Sequence, residues 1–184
     1  MTISVVMTTY NGEKYIIKQL ESLRNQSRRI DEVLIFDDGS TDKTRSLVRE
    51  YILHFSLSNW HYIINSENKG WKRNFHEGVR AATSDIVFPC DQDDTWHLDK
   101  VEKMEKIMIS NPDINVLVGK YHKFFDEENQ SAQRKNTTWE SLALLVDKLA
   151  DKKSLSVLDG SVIRESFNES FLQLMPGCCF CVRK

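Results

Sequence analysis

The chain has 184 residues, of which 40% are hydrophobic and 28% are charged, and its formal net charge is −2. This length suits one domain with a sizeable core, and the composition excludes an intrinsically disordered chain. The near-neutral charge excludes bulk attraction to nucleic acid or anionic lipid, so any site for a phosphate compound has to be local.

Strands and helices alternate along roughly the first two thirds of the chain, as judged from two kinds of apolar pattern. Short β-branched runs that end in polar turns predict strands, and apolar residues with helical spacing predict helices. In chain order the predicted elements are a strand at 3–7, a helix at 13–26, a strand at 32–36, a helix at 47–55, a strand at 60–64, a helix at 71–79, a strand at 85–90, a helix at 98–110 and a strand at 114–118.

This alternation predicts an α/β fold with right-handed crossovers and a mostly parallel, doubly wound sheet that carries helices on both faces. Ser40 or Thr41 is the predicted N-cap of the second helix. After residue 125 the alternation stops. We expect a polar loop at 126–138, a helix at 139–149 and short apolar runs with turns beyond it. We interpret residues 126–184 as an annex to the sheet within a single domain.

The N-terminus lacks the basic start and long apolar region of a signal peptide. Apolar runs of about five residues are far shorter than the roughly 20 residues of a membrane helix. We interpret the cysteines as reduced thiols: Cys90, Cys178, Cys179 and Cys181. We therefore expect a cytoplasmic protein without a membrane span, and peripheral membrane association and homo-oligomerisation stay open.

Polar residues cluster directly after each of the first four predicted strands. In open parallel sheets, ligands bind beyond the carboxyl ends of the strands, where the loops converge. The clusters are therefore expected at one edge of the sheet: Thr8, Thr9, Tyr10 and Asn11; Asp37 and Asp38; Asn68, Lys69 and Gly70; Asp91, Asp93 and Asp94.

The stretch DQDD, residues 91–94, concentrates three carboxylates that repel one another unless a cation holds them. Mg²⁺ or Mn²⁺ takes oxygen ligands, typically one or two from protein, and fills its other positions with water and phosphate oxygens. Asp91, Asp93 and Asp94 therefore predict a site for a metal-bound phosphate compound. The alternative is that they are first-turn carboxylates of the helix predicted near Leu98.

Two further candidates each have a simpler interpretation. Asp38 can accept a hydrogen bond from a nucleobase or ribose, or Asp37 to Ser40 can form only a turn rich in side-chain to backbone hydrogen bonds. Arg73 can reach a diphosphate, or it can be a solvated surface cation. Trp71 and Trp96 are expected to be packing residues at helix starts.

Other phosphate chemistries lack their motifs. The sequence contains no GxxxxGK[ST], no GxGxxG after the first strand and no HExxH. An aspartyl nucleophile in LIFDDGSTDKT, residues 34–44, would suit a phosphatase or a receiver domain, but it leaves the DQDD cluster without a role.

Four motifs in this order resemble the nucleotide-sugar half of family 2 inverting glycosyltransferases: ISVVMTTYNGEKYI, EVLIFDDGSTDKT, NKGWKRNF and DIVFPCDQDDTWHLDKV. The resemblance covers residues 1 to about 120 and implies the Rossmann-like GT-A fold, with residues 1–125 as the donor-binding half and 126–184 as the acceptor side. The DQDD-x-W form resembles bacterial rhamnosyl and related transferases that build surface polysaccharides or glycoproteins.

The resemblance implies that Thr8 and Tyr10 line the nucleotide pocket and that Asp38 recognises the base. Asp91 and Asp93 match the DxD motif, which binds the ribose and, through Mn²⁺ or Mg²⁺, the donor diphosphate; Asp94 matches a further acid beside it. Arg73 is the expected contact to the diphosphate. The implied partners are a nucleoside diphosphate-sugar and a saccharide, glycan or glycolipid acceptor, with no nucleic acid.

An inverting transferase also needs a carboxylate base for the acceptor hydroxyl. In the resembling family the base is an Asp in a motif that follows a segment similar to MPGCCFCVRK, residues 175–184, so we expect the base beyond Lys184 and a truncated chain. The alternative is a non-catalytic, donor-binding module of a larger glycosyltransferase assembly.

Overall fold

The described part of the chain contains seven strands that form one sheet. The computed structural model describes residues 1–119, 162–163 and 180–184. The strands are β1 (Ile3–Thr9), β2 (Glu32–Asp37), β3 (Trp60–Ile64), β4 (Ile86–Asp91), β5 (Val116–Val118), β6 (Val162–Ile163) and β7 (Phe180–Arg183). The helices are α1 (Ile16–Arg24), α2 (Thr44–His54), α3 (Trp71–Ala81) and α4 (Lys100–Ser110). The sheet order is β3-β2-β1-β4-β7-β5-β6.

The centre of the sheet is parallel, as the alternation of elements predicts. β1 pairs in parallel with β2 and with β4, and β2 pairs in parallel with β3. Thr8 lies opposite both Phe36 and Asp91, so the carboxyl ends of the three strands reach the same edge. The predicted α/β doubly wound fold is confirmed, and the third strand has the predicted bounds.

The alternating side chains of the strands supply two hydrophobic layers, one on each face of the sheet. Ile3, Val5 and Met7 of β1 pack in the layer that contains the apolar faces of α1, α2 and α4. Val6 points to the opposite layer, where it meets α3. A Cβ on Gly78 of α3 would lie 2.4 Å from Val6 Cγ1, so glycine allows α3 to approach the sheet closely.

An antiparallel strand from the end of the chain, β7, lies between β4 and β5. Phe180, Cys181 and Val182 are buried there. Arg183 Nη2 donates to the carbonyl oxygen of Met108 at 2.7 Å. The sequence predicts only short apolar runs and turns in this region, so β7 is an addition to the expected topology.

Three helix starts differ from the prediction: α1 begins at Ile16 and α4 at Lys100, later than residues 13 and 98, whereas α2 begins at Thr44, earlier than residue 47. α2 starts at Thr44, and no side chain caps its N-terminus, so Ser40 and Thr41 are not its N-cap. Ser40 Oγ instead accepts from the backbone N–H of Asn11, and the Thr41 backbone N–H donates to Asn11 Oδ1. α4 starts at Lys100, which leaves the DQDD stretch well outside its first turn.

The predicted loop at 126–138 and the predicted helix at 139–149 lie outside the described residues. The predicted annex at 126–184 is represented by β6 and β7, which belong to the same sheet as the first five strands. Across the described ranges, no helix combines the length and the apolar character that a bilayer span requires.

Candidate functional site

A cleft of about 330 Å³ opens at the carboxyl ends of β1, β2 and β4, and we call it the strand-end cleft. This is the edge at which ligands bind in open α/β sheets. Its lining comes from the last residues of β1 and β4 and the loops that follow them, from the residue after β2, from the loop after β3 and from the first turn of α3: Thr8, Thr9, Tyr10, Asp38, Asn68, Gly70, Trp71, Asn74, Asp91, Gln92 and Asp93.

Five of the predicted site residues come together in this cleft: Thr8, Tyr10, Asp38, Asp91 and Asp93. Asp38 is 4% exposed, whereas Tyr10 is 47% exposed and offers its ring to the solvent side. The cleft therefore combines an exposed aromatic residue with carboxylates at the carboxyl ends of β2 and β4, which flank β1.

The remaining two predicted site residues are placed elsewhere. Arg73 Nε donates to Glu77 Oε1 at 2.9 Å on the surface of α3, and the Arg73 side chain is 68% exposed. Asp94 does not line the cleft. Burial raises the pKa of the Cys90 thiol well above its ordinary value, and the nearby charge of Asp94 raises it further.

Asp91 and Asp93 form an oxygen donor set that suits Mg²⁺ or Mn²⁺, because these ions take one or two protein carboxylates and leave other positions to phosphate and water. The described residues contain no cluster of three acidic, His or Cys side chains placed to hold a metal ion. The predicted set of three aspartates is therefore not preassembled, and two of its members face the cleft.

Asp38 holds together the wall of the cleft that follows β3. Its Oδ1 accepts from Asn65 Nδ2 at 3.0 Å and from the backbone N–H of Lys69 at 2.8 Å. Its Oδ2 accepts from the backbone N–H of Gly70 at 2.9 Å. Gly70 has φ +82°, a backbone conformation that favours glycine. The carboxylate thereby fixes the loop that leads into α3.

Asp37, the neighbouring aspartate, has the turn role that the sequence offers as the simpler alternative. Asp37 Oδ1 accepts from the backbone N–H groups of Gly39 and Ser40, and Oδ2 accepts from Thr9 Oγ1 and Tyr62 Oη. Burial alone would raise the pKa of the Asp37 carboxyl, but these hydrogen bonds hold it below its ordinary value of 3.8. Asp37 is fully buried and is not among the residues that line the cleft.

Trp71 and Trp96, which the sequence predicts to be packing residues at helix starts, differ in their exposure. Trp96 is 5% exposed, and its ring centroid lies 5.8 Å from that of Phe88, so the predicted packing role is confirmed. For Trp71 that prediction is wrong, since its side chain is 52% exposed and lines the cleft. His97 is exposed and precedes α4.

Sequence reasoning did not single out Asn74 or Gln92, although both line the cleft. Asn74 is fully buried, and its Nδ2 donates to the carbonyl oxygen of Phe36 at 3.1 Å. The sequence signal for Asn74 was its position beside Phe75 on the apolar side of the predicted helix. Gln92 stood out only as the single uncharged member of DQDD, and its contacts involve the loop after β1.

Comparison with known families gives a match over most of the chain. The model described as "Glycosyl transferase family 2" matches residues 4–167. Among curated relatives, dTDP-rhamnosyl transferase RfbG from Shigella flexneri is 35% identical over 111 residues, which cover 57% of this chain and 37% of RfbG. Glycosyltransferase GlyG from Streptococcus pneumoniae is 25% identical over 127 residues, which cover 68% of this chain and 41% of GlyG.

The chain spans only part of its relatives. Three further relatives are covered over 29%, 36% and 50% of their lengths.

Solved structures share the fold. S. aureus TarS 1-349 in complex with UDP matches with a TM-score of 0.58 and 26% identity, over 69% of this chain and 38% of TarS. The mannosyltransferase PcManGT from Pyrobaculum calidifontis, solved with GDP-Man and Mn²⁺, matches with a TM-score of 0.61 and 24% identity over 65% of this chain and 35% of its own. At that identity the second match supports the GT-A fold alone.

Proposed function

We propose that this chain, which belongs to glycosyl transferase family 2, binds a nucleoside diphosphate-sugar in the strand-end cleft and transfers the sugar to an acceptor hydroxyl with inversion. The observation that carries the proposal is the meeting of Thr8, Tyr10, Asp38, Asp91 and Asp93 in one cleft. The parallel sheet brings these strand ends to one edge, and polar side chains gathered in one cleft at that edge suit a polar ligand.

The nucleoside occupies the side of the cleft formed by Thr8, Tyr10 and Asp38. The exposed ring of Tyr10 offers a stacking surface for a planar base. Asp38 Oδ2 accepts one hydrogen bond from the described residues, that of Gly70. A carboxylate oxygen can accept two hydrogen bonds, so Oδ2 keeps capacity for an N–H group of the base or a ribose hydroxyl.

The diphosphate occupies the side formed by Asp91 and Asp93, which would hold Mg²⁺ or Mn²⁺ together with its oxygens. Such an ion offsets the negative charge that develops on a departing nucleoside diphosphate. Without a cation, the two carboxylates would repel the anionic donor, so we propose that donor binding depends on the metal.

Similarity to dTDP-rhamnosyl transferase RfbG and the DQDD-x-W motif support a hexosyl transfer in bacterial surface polysaccharide or glycoprotein synthesis. The acceptor would then be a saccharide, glycan or glycolipid.

Thermal unfolding of the full chain with UDP, GDP or dTDP, each with and without MnCl₂, tests the proposal. We expect at least one diphosphate to raise the melting temperature, and to do so more strongly with Mn²⁺, because a ligand that binds only the folded state stabilises it. The Asp91→Asn/Asp93→Asn variant should lose this shift, and the surface variant Asp99→Asn should keep it. If no nucleotide stabilises the wild-type chain, the donor-site proposal is wrong.

A second assay measures the release of nucleoside diphosphate from the corresponding sugar nucleotide in the presence of a glycan acceptor. It distinguishes a transferase from a non-catalytic donor-binding module. Turnover supports the transferase. Binding without turnover supports the donor-binding module of a larger assembly instead.

A further inference from the structure

Gln92 makes two hydrogen bonds to the backbone of one residue, Tyr10, and both residues line the strand-end cleft. Its Oε1 accepts from the backbone N–H of Tyr10 at 2.9 Å, and its Nε2 donates to the carbonyl oxygen of Tyr10 at 3.1 Å. The backbone pairing of β1 with β4 reaches Thr8 and Asp91. The side-chain amide of Gln92 therefore continues this pairing beyond the last backbone pair, in the manner of a peptide group.

We infer that Gln92 is a positioning residue that fixes the Tyr10 backbone, and through it the exposed Tyr10 ring, relative to Asp91 and Asp93. This inference rests on the proposed function, because it assigns Tyr10 and the two aspartates to one bound nucleotide. Gln92 lies between the two aspartates in the sequence and holds Tyr10 through its side chain, so it sets the spacing between the two sides of the cleft.

The chemistry of the amide explains why this position in an acidic stretch is not acidic. A carboxylate accepts hydrogen bonds but cannot donate one, so Asp or Glu here could not satisfy the Tyr10 carbonyl oxygen. Asn is shorter by one methylene and could not reach the N–H and C=O groups of Tyr10 without a backbone shift. Glutamine alone among these four side chains provides both the donor and the reach.

Gly12 shows that the loop after β1 makes room for this side chain. A Cβ on Gly12 would lie 2.2 Å from Gln92 Oε1 and 2.5 Å from Gln92 Cδ. The neighbouring Asn11 has φ +48° and receives the Thr41 backbone N–H on its Oδ1, and the Gly12 backbone N–H donates to Thr44 Oγ1 at 2.8 Å. The loop is thus held by the β2–α2 connection on one side and by Gln92 on the other.

Amide hydrogen exchange of the full chain, followed by NMR, tests the contact without any ligand. In Gln92→Ala, we expect the Tyr10 backbone N–H to exchange at least about fivefold faster, the equivalent of one lost hydrogen bond. In Gln92→Glu, which keeps the acceptor, that amide should stay protected. The Asp38 backbone N–H, which donates to the Thr9 carbonyl oxygen at 2.8 Å, is the control and should not change. Unchanged exchange at Tyr10 in Gln92→Ala would overturn the inference.

Calorimetric titration with the diphosphate that stabilises the wild-type chain most, in MnCl₂, tests the positioning role. Gln92→Ala should weaken binding by about five- to tenfold, as expected for two hydrogen bonds of modest net strength. In a Tyr10→Ala background, Gln92→Ala should weaken diphosphate binding by less than about twofold. Non-additive effects of this kind identify residues that act as a unit. A purely structural role would lower the melting temperature and leave the loss in affinity equal in both backgrounds, which would overturn the inference.

A matched pair of variants distinguishes a steric clash between residues 12 and 92 from a general destabilisation of the loop. Gly12→Ala should lower the melting temperature, and Gly12→Ala combined with Gln92→Ala should recover part of that loss because the clashing atoms are gone. No recovery would contradict the contact. If the wild-type chain binds none of the diphosphates, the proposed function fails, and the exchange and melting experiments still decide whether Gln92 holds Tyr10.

Discussion

Asn65 Nδ2 donates to Asn74 Oδ1 at 2.8 Å and so joins the loop after β3 to the first turn of α3. Asn65 is 7% exposed and Asn74 is fully buried. Asn65 Nδ2 also donates to Asp38 Oδ1, and Asn74 Nδ2 donates to the carbonyl oxygen of Phe36. This buried network fixes the wall of the strand-end cleft.

Replacing Asn74 with alanine should lower the free energy of unfolding by about 1–3 kcal/mol, because the carbonyl oxygen of Phe36 and the amide of Asn65 would lose buried partners. Urea denaturation measures the change. Asn68→Ala removes an exposed amide from the loop between β3 and α3, and it should change the free energy of unfolding by less than about 0.5 kcal/mol. Equal effects of the two substitutions would contradict a buried network around Asn74.

The central sheet and its helices could be predicted because each strand is a short apolar run and each helix has a regular apolar stripe. β3 shows this best, since Trp60–Ile64 is bounded by polar turns on both sides. β7 could not be predicted in the same way. Its partners Ile86 and Val87 are distant in the sequence, and a run of cysteines before Phe180 gives no strand period.

The acidic residues of the site could be predicted from the sequence. The site residues whose role depends on side-chain direction could not. Asp38, Asp91 and Asp93 follow strand ends, so the rule for open sheets brings them together. The placement of Arg73 and Asp94 depends on side-chain direction, which spacing alone does not fix. Gln92 is recognisable only once Tyr10 is seen opposite it.

The buried carboxylate of Asp37 should make the free energy of unfolding depend on pH in the acidic range. Burial raises the pKa of Asp37, but the hydrogen bonds from Ser40, Tyr62 and Thr9 outweigh burial and leave the folded-state pKa below 3.8. A lowered folded-state pKa stabilises the protein above the unfolded pKa, and this contribution disappears as the pH falls through the folded-state pKa.

Chemical denaturation at several pH values tests this dependence. The stability difference between the wild-type chain and Asp37→Asn should be constant near neutral pH and should shrink as the pH falls below about 4. A difference for Asp37→Asn that does not vary with pH would rule out the ionised form as the source of stability.

Trp71 should report nucleotide binding by fluorescence, because it lines the cleft and is 52% exposed, whereas Trp60 and Trp96 are 7% and 5% exposed. A bound base near its ring should quench its emission, and Trp71→Phe should lose most of that signal while it keeps binding. Trp71→Ala should weaken binding by about 1–3 kcal/mol if the ring stacks on the base.

Leu98→Ala, which changes an exposed apolar residue outside the cleft lining, is the matched control for Trp71→Ala and should bind like the wild-type chain. If Trp71→Phe keeps the full quenching signal, the ring does not report the occupied cleft.

The decisive measurement for a metal-assisted donor site is the Mn²⁺ dependence of nucleoside diphosphate affinity, measured by calorimetry for the wild-type chain, Asp93→Asn and Asp94→Asn. We expect Mn²⁺ to strengthen wild-type binding by on the order of tenfold or more. Asp93→Asn should lose this gain because Asp93 lines the cleft, and Asp94→Asn should retain most of it because Asp94 does not. Wild-type binding that is equal with and without Mn²⁺, or a full metal gain in Asp93→Asn, would contradict the assignment of the cleft as a metal-assisted donor site.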